Sequence, residues 1–149
     1  MGVGNPWRRD DAAGLVVARR LRGTLPPEVE VLEREGEPTG LIDSWDGADR
    51  LWVVDAVSSG ANAGTLHRID ATREALPAEL FRTSTHHVGL AEAVELARVL
   101  GRLPEQIVVY GIEGERFDVG DELTPMVDDA ASRAADAVRE EVLACTSGP

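Results

Sequence analysis

Leu51-Trp52-Val53-Val54-Asp55-Ala56-Val57 is the stretch whose reading decides the fold. It is a nearly unbroken apolar run, rich in valine, with one carboxylate near its end. A strand with one wet face alternates apolar and polar residues. A run without alternation reads as a central strand covered on both faces, as in parallel sheets flanked by helices. Gln106-Ile107-Val108-Val109-Tyr110-Gly111-Ile112 repeats the pattern and predicts a second buried strand.

Helical periodicity fills the intervals. Residues 10–22 place Leu15, Val16, Ala18 and Leu21 on one stripe, and Gly23 is set to end it. Residues 41–46 predict a short helix closed by Gly47, and residues 88–100 a longer one, with Leu90, Val94, Ala97 and Leu100 on one face and Gly101 as its stop. Residues 124–143 predict the final helix, with Pro125 in the first turn and Val127, Ala131, Ala134, Val138 and Val142 on its apolar face. Residues 29–33 alternate partially after the Pro26-Pro27 break, and residues 65–69 alternate as an exposed or edge strand. Strands interleaved with helices predict an α/β class, with a mostly parallel sheet and helices on both sides.

The 149 residues fit one domain spanning 1–149, long enough to bury a core. No apolar run approaches the ~20 residues of a membrane helix, and no charged-then-apolar leader opens the chain. A cytoplasmic, membrane-free protein is expected. Cys145 stands alone, so neither an intramolecular disulfide nor a cysteine-based zinc cluster can form. The net charge of −12 is uneven: residues 1–25 carry +3, residues 26–50 carry −6, residues 51–112 carry −2 and residues 113–149 carry −7. A polyanion needs basic neutralisation, so nucleic acid is not an expected partner.

Three residues have a chemical context. Asp11 follows the glycine turn Gly2-Val3-Gly4-Asn5, Asp55 lies at the end of the first buried strand, and His86 sits in Ser84-Thr85-His86-His87 before a helix. Sites in open α/β sheets form outside the carboxyl ends of the strands, and all three lie at such junctions. Two carboxylates and one imidazole suit a borderline divalent metal such as zinc or nickel, with coordination positions left open. Each also has an ordinary structural reading. An aspartate in a first turn favours the helix dipole, an aspartate at a strand end turns the chain, and a histidine before a helix caps it. His67 and His87 carry less signal than His86. The glycine turn is not a dinucleotide fingerprint, because Trp7 stands where the third glycine belongs.

In sequence order these segments resemble the hydrogenase maturation endopeptidases. The resemblance rests on Gly2-Val3-Gly4-Asn5-Pro6 with Asp10-Asp11, on Val53-Val54-Asp55-Ala56, on Ser84-Thr85-His86 with Leu90, and on Val108-Val109-Tyr110-Gly111-Ile112-Glu113 followed by Leu123-Thr124-Pro125. It implies a three-layer α/β/α fold with a mixed sheet, residues 65–69 forming the antiparallel strand. It implies one endoproteolytic cut, removing a C-terminal extension from the large-subunit precursor of a [NiFe] hydrogenase after nickel insertion. Asp11, Asp55 and His86 are then the metal-contacting and catalytic residues, meeting nickel held by the substrate, with no permanent cofactor. Attack on the peptide bond is open between a metal-polarised carbonyl, a metal-activated water and an aspartate acting as general base. The competing readings are a related metal-dependent peptidase or hydrolase with another substrate, and a non-catalytic module that binds a metalloprotein.

The chain departs from the family pattern in places. Asp11 stands where many relatives carry glutamate, Ala12-Ala13 replace a frequent glycine, and Trp7-Arg8-Arg9 make a bulky basic loop beside the site. The resemblance also implies an apolar strand of ~5 residues before the glycine turn, where only Met1 stands. The first strand is therefore expected to be missing, with two strand edges left unpaired. Extending the chain ahead of Met1 with a short Val/Leu-rich segment should raise the melting temperature. A thermal melt of the two forms checks this, and equal stability would contradict it.

Overall fold

The computed structural model describes residues 1–35, 37–81 and 89–146. The elements run β1 (Gly2–Val3), a 3₁₀ turn (Arg9–Ala12), α1 (Ala13–Leu21), β2 (Glu33–Arg34), α2 (Pro38–Trp45), β3 (Arg50–Val57), β4 (Leu66–Asp70), α3 (Leu90–Leu100), β5 (Gln106–Glu113) and α4 (Pro125–Thr146). The five strands form one sheet in the order β2-β1-β3-β5-β4. All neighbours are parallel except β4, which runs antiparallel along β5 and pairs His67 with Gly111. This is the mixed, helix-covered sheet expected, and the antiparallel strand is the one expected.

Side chains alternate across the sheet, and two cores result. Leu51, Val53 and Val57 of β3 with Ile107 and Val109 of β5 pack under α2 and α3. Val54 and Ala56 with Val108, Tyr110 and Ile112 pack under α1 and α4. The apolar runs of β3 and β5 are continuous because each face meets a helical layer. Asp55, Gly111, Glu113 and His67 share the α2/α3 face by the same alternation. Among the described residues, no helix is long and apolar enough to cross a membrane.

The first strand is not missing, which corrects the expectation. Gly2 and Val3 themselves form β1, centrally, pairing with Glu33 and Arg34 on one side while Gly2 pairs with Val54 on the other. The glycine turn doubles as the strand because its backbone still reaches both ladders. Met1 prolongs the pairing: its amino group donates to the Trp52 carbonyl at 2.7 Å, and Val54 N donates to its carbonyl at 2.9 Å. A cavity of about 640 Å³ beside Met1 is lined by residues that include Val29, Leu32, Leu51, Trp52 and Val142.

Other boundaries move by a few residues. The strand expected at 29–33 is reduced to Glu33–Arg34, since only that end lies alongside β1. The helix expected from residue 10 begins with a 3₁₀ turn, and its regular part starts at Ala13. The expected helix at 41–46 starts earlier, at Pro38, with the Glu37 carboxylate accepting from Gly40 N at 2.9 Å.

Burial of the Met1 amine has a measurable consequence. Loss of solvation pulls its pKa down from 8.0 to about 5. Between those values the unfolded chain binds the extra proton, so this group makes stability rise with pH, its full contribution being present above 8 and lost towards 5. Three units correspond to at most about 4 kcal/mol. Acetylating the amine should flatten the rise between pH 5 and 8, as read from urea midpoints of the two forms.

Candidate active site

Close backbone approach builds the site. A Cβ on Gly14 would lie 2.1 Å from the Val54 carbonyl oxygen and 2.4 Å from that of Val3, so the start of α1 rests directly on β1 and β3. A Cβ on Gly4 would lie 2.1 Å from the Asp11 carbonyl oxygen, so the chain folds back on itself after the turn. The result brings Asp11 over the carboxyl end of the sheet, beside Asp55.

The two adjacent aspartates of the 3₁₀ turn do different work. Asp10 is fully enclosed. Its Oδ2 accepts from Glu115 N and Arg116 N, both at 2.9 Å, and its Oδ1 accepts from Thr124 N at 2.8 Å; the Thr124 hydroxyl donates as well. It ties the turn to the loop that leads into α4. Sequence reading passed over this residue, although an Asp-Asp pair before a helix leaves one carboxylate available for local backbone capture.

Asp11 is 6% exposed, with Arg8 Nη1 at 3.8 Å from its Oδ2. Asp55 is 7% exposed and lies inside β3, which continues to Val57, so it does not close the strand as expected. Its Oδ1 accepts from Ala56 N at 2.8 Å. Burial, and then the neighbouring Asp11 charge, raise the Asp55 pKa well above its ordinary value. The structure thus brings Asp11 and Asp55 together. His86 lies outside the described residues. Among those described, no group of three or more His, Cys, Asp or Glu side chains is arranged to hold a metal ion. What Asp11 and Asp55 supply is a partial acidic set whose electrostatic cost a cation or a proton would relieve.

The basic loop at the mouth is held rather than free. Arg9 N donates to the Gly120 carbonyl at 3.0 Å, Gly120 N donates to that of Trp7 at 2.9 Å, and Arg9 Nε donates to Asp118 at 3.3 Å. The Trp7 indole remains 68% exposed. The bulky basic loop is thus a presented rim, held by its backbone.

Fold and site together define an α/β/α protein with a pair of buried carboxylates, Asp11 and Asp55, at the carboxyl end of its central parallel strands. The family model for hydrogenase maturation proteases matches residues 16–141. The chain is 32% identical over 149 residues to the hydrogenase 2 maturation protease of Escherichia coli, covering 94% of this chain and 89% of that one. It is 32% identical over 148 residues to the hydrogenase expression/formation protein HoxM of Cupriavidus necator, covering 93% and 72%. Its fold is similar to that of the hydrogenase maturating endopeptidase HybD from E. coli, with a TM-score of 0.78, 26% identity and coverage of 98% and 91%. It is also similar to the [NiFe] hydrogenase maturation protease HycI from Thermococcus kodakarensis, at 0.72, 25%, 95% and 88%. The chain belongs to the hydrogenase maturation protease family, and so to a family of peptidases.

The two buried aspartates should respond oppositely to substitution. Asp10→Ala leaves buried N–H donors unpaired and should cost roughly 3 kcal/mol. Asp55→Asn removes a carboxylate whose ionisation the fold disfavours. Because its folded pKa is raised, the wild type loses stability as pH rises from the unfolded value through the folded one. Asp55→Asn should therefore be more stable than wild type at neutral pH and should lack that loss. Urea unfolding at acid and neutral pH measures both.

Proposed function

We propose that this chain is the endopeptidase that removes the C-terminal extension of a [NiFe] hydrogenase large-subunit precursor once nickel is in place. Asp11, Asp55 and His86 contact the nickel that the precursor carries. Family membership and the names of the relatives support the reaction class and the precursor as substrate. The observation that carries the nickel contact is Asp55, buried in an otherwise apolar strand next to a second buried carboxylate.

Burying a carboxylate beside a like charge costs stability unless a counter-charge arrives. A divalent ion presented by the substrate is such a counter-charge. Two carboxylates and an imidazole suit nickel among the borderline metals, and they do not fill its coordination sphere. The precursor supplies the remaining ligands, so the complete sphere exists only in the complex. A nickel-free precursor lacks this contact and binds less tightly. Selection follows from that difference in affinity, which equal binding of both forms could not provide.

Incubating the protein with nickel-loaded and nickel-free precursor, followed by mass spectrometry, tests the proposal. The expected result is a C-terminal truncation of the loaded form only. Asp55→Ala and His86→Ala should each abolish the cut while the circular dichroism spectrum stays native. Activity retained in both variants would refute the assignment. Protons compete with the metal for the carboxylates and imidazole, so the cut should slow as pH falls, starting at higher pH than an ordinary aspartate would impose.

A further inference from the structure

Two large apolar side chains stand out on the rim beside Asp11: Trp7 is 68% exposed and Val119 is 83% exposed. One exposed apolar residue is ordinary on a protein surface. Here two come from segments remote in sequence and are set side by side. The parallel bridge between Arg8 and Gly120 puts Trp7 next to Val119, one residue back on each segment.

The backbone beneath the indole is held. Trp7 N donates to Asn5 Oδ1 at 2.9 Å, and the Trp7 carbonyl accepts from Gly120 N at the same distance. Arg9 has φ +45° and is the only non-glycine at positive φ among the described residues. That conformation is unfavourable for a residue with a Cβ and persists only where the surroundings impose it. Arg9 N bonds to the Gly120 carbonyl at 3.0 Å, and the Arg9 guanidinium lies over Gly120, where a Cβ would stand 2.8 Å from Arg9 Cζ. Asp10 fastens the second segment by accepting from Glu115 N and Arg116 N. An aromatic anchor fixed in advance loses little freedom on docking, and tryptophan is prominent among the energetic centres of protein interfaces.

Position selects the partner. Asp11 N donates to the Arg8 carbonyl at 3.0 Å, and Arg8 Nη1 stands 3.8 Å from Asp11 Oδ2, so the rim is continuous with the carboxylate pair. Four residues of chain span at most ~14 Å. An interface of ~800 Å² on each partner is a disc roughly 16 Å in radius. A protein that brings a metal to Asp11 and Asp55 therefore reaches Trp7 as well. The two carboxylates are recessed, at 6% and 7% exposure, while the indole projects. Charge agrees with this. In a chain of net charge −12, residues 1–25 carry +3, so an acidic partner surface meets least repulsion here.

We infer that the Trp7–Val119 rim is the docking surface for the metal-bearing precursor, the indole entering an apolar pocket of that protein beside carboxylates that meet Arg8. This rests on the function proposed above and adds to it the contact that holds the precursor whether or not its metal is present. The rim recognises the protein, and the buried carboxylates recognise its ion.

The test compares wild type, Trp7→Ala, Trp7→Phe, Val119→Asp and a control, Val99→Ser. Val99 is 84% exposed on α3, near the end that leads to the start of β5 and away from the rim. Isothermal titration with nickel-free precursor reads Kd, and cleavage of nickel-loaded precursor reads KM and kcat. Trp7→Ala should raise Kd and KM about 30-fold, with kcat within about twofold and the melting temperature unchanged. Val119→Asp should raise both about tenfold, Trp7→Phe should stay within about fivefold of wild type, and Val99→Ser should match it. Unchanged Kd and KM in Trp7→Ala, a loss in kcat alone, or a rise confined to the loaded form would overturn the docking surface and leave the peptidase reading standing. A precursor bound by wild type, weakened by Trp7→Ala and never cut would support the docking surface and overturn the peptidase reading. A wild type that neither binds nor cuts the precursor would overturn both.

Discussion

The site depends on one steric constraint, the contact of α1 backbone with the edges of β1 and β3 at Gly14. A side chain there would collide with the Val3 and Val54 carbonyls. Because that space is empty, the helix start sits flush on the sheet, and the 3₁₀ turn before it hangs over the carboxyl end of β3. Asp11 reaches Asp55 for this reason. The glycine of β1 serves the same contact from below, since a Cβ on Gly2 would lie 2.1 Å from the Gly14 carbonyl oxygen. The opening glycines thus bring backbones together and do not cradle a phosphate.

From that contact follows a division of labour among buried acids. Asp10 is satisfied by backbone donors and holds the loop before α4. Glu113 is satisfied by Ser59 and holds His67. Asp55 is the unfavourable one, with its pKa raised by burial and by Asp11. Asp10 and Glu113, each held by several donors, act as structural fixtures. Asp55 accepts from Ala56 N alone among the described contacts, and its ionised form remains electrostatically costly.

Much of the architecture was legible beforehand. Unbroken valine-rich runs gave β3 and β5, helical stripes gave α1, α3 and α4, and alternation gave the edge strand β4, whose antiparallel direction the family resemblance implied. Short elements were less legible. β1 is two residues long and β2 is two residues long, so neither carries a period, and their existence is a matter of which backbones lie alongside. Among the acids, Asp55 stood out as a charge inside an apolar run, and Glu113 had the same signature at the end of β5. Asp10 and Asp11 are indistinguishable in sequence, and only their opposite orientations separate them. Helical periodicity from residue 10 suggested one continuous helix, whereas the turn that precedes α1 is what aims the two aspartates apart.

The sequence by itself determined the α/β class, the two buried strands, the order of the helices and the placing of Asp55 near the end of a buried strand and of Asp11 at a helix start. These are consequences of local hydrophobic pattern, which acts along the chain. The tertiary structure alone decided that Gly2–Val3 completes the sheet, that Asp11 raises the Asp55 pKa, and that Glu113 reaches His67 from 46 residues away. Those facts depend on distances between segments remote in sequence. Electrostatic coupling and hydrogen bonding fall off within a few ångströms, so such pairings exist only once packing has set the distances.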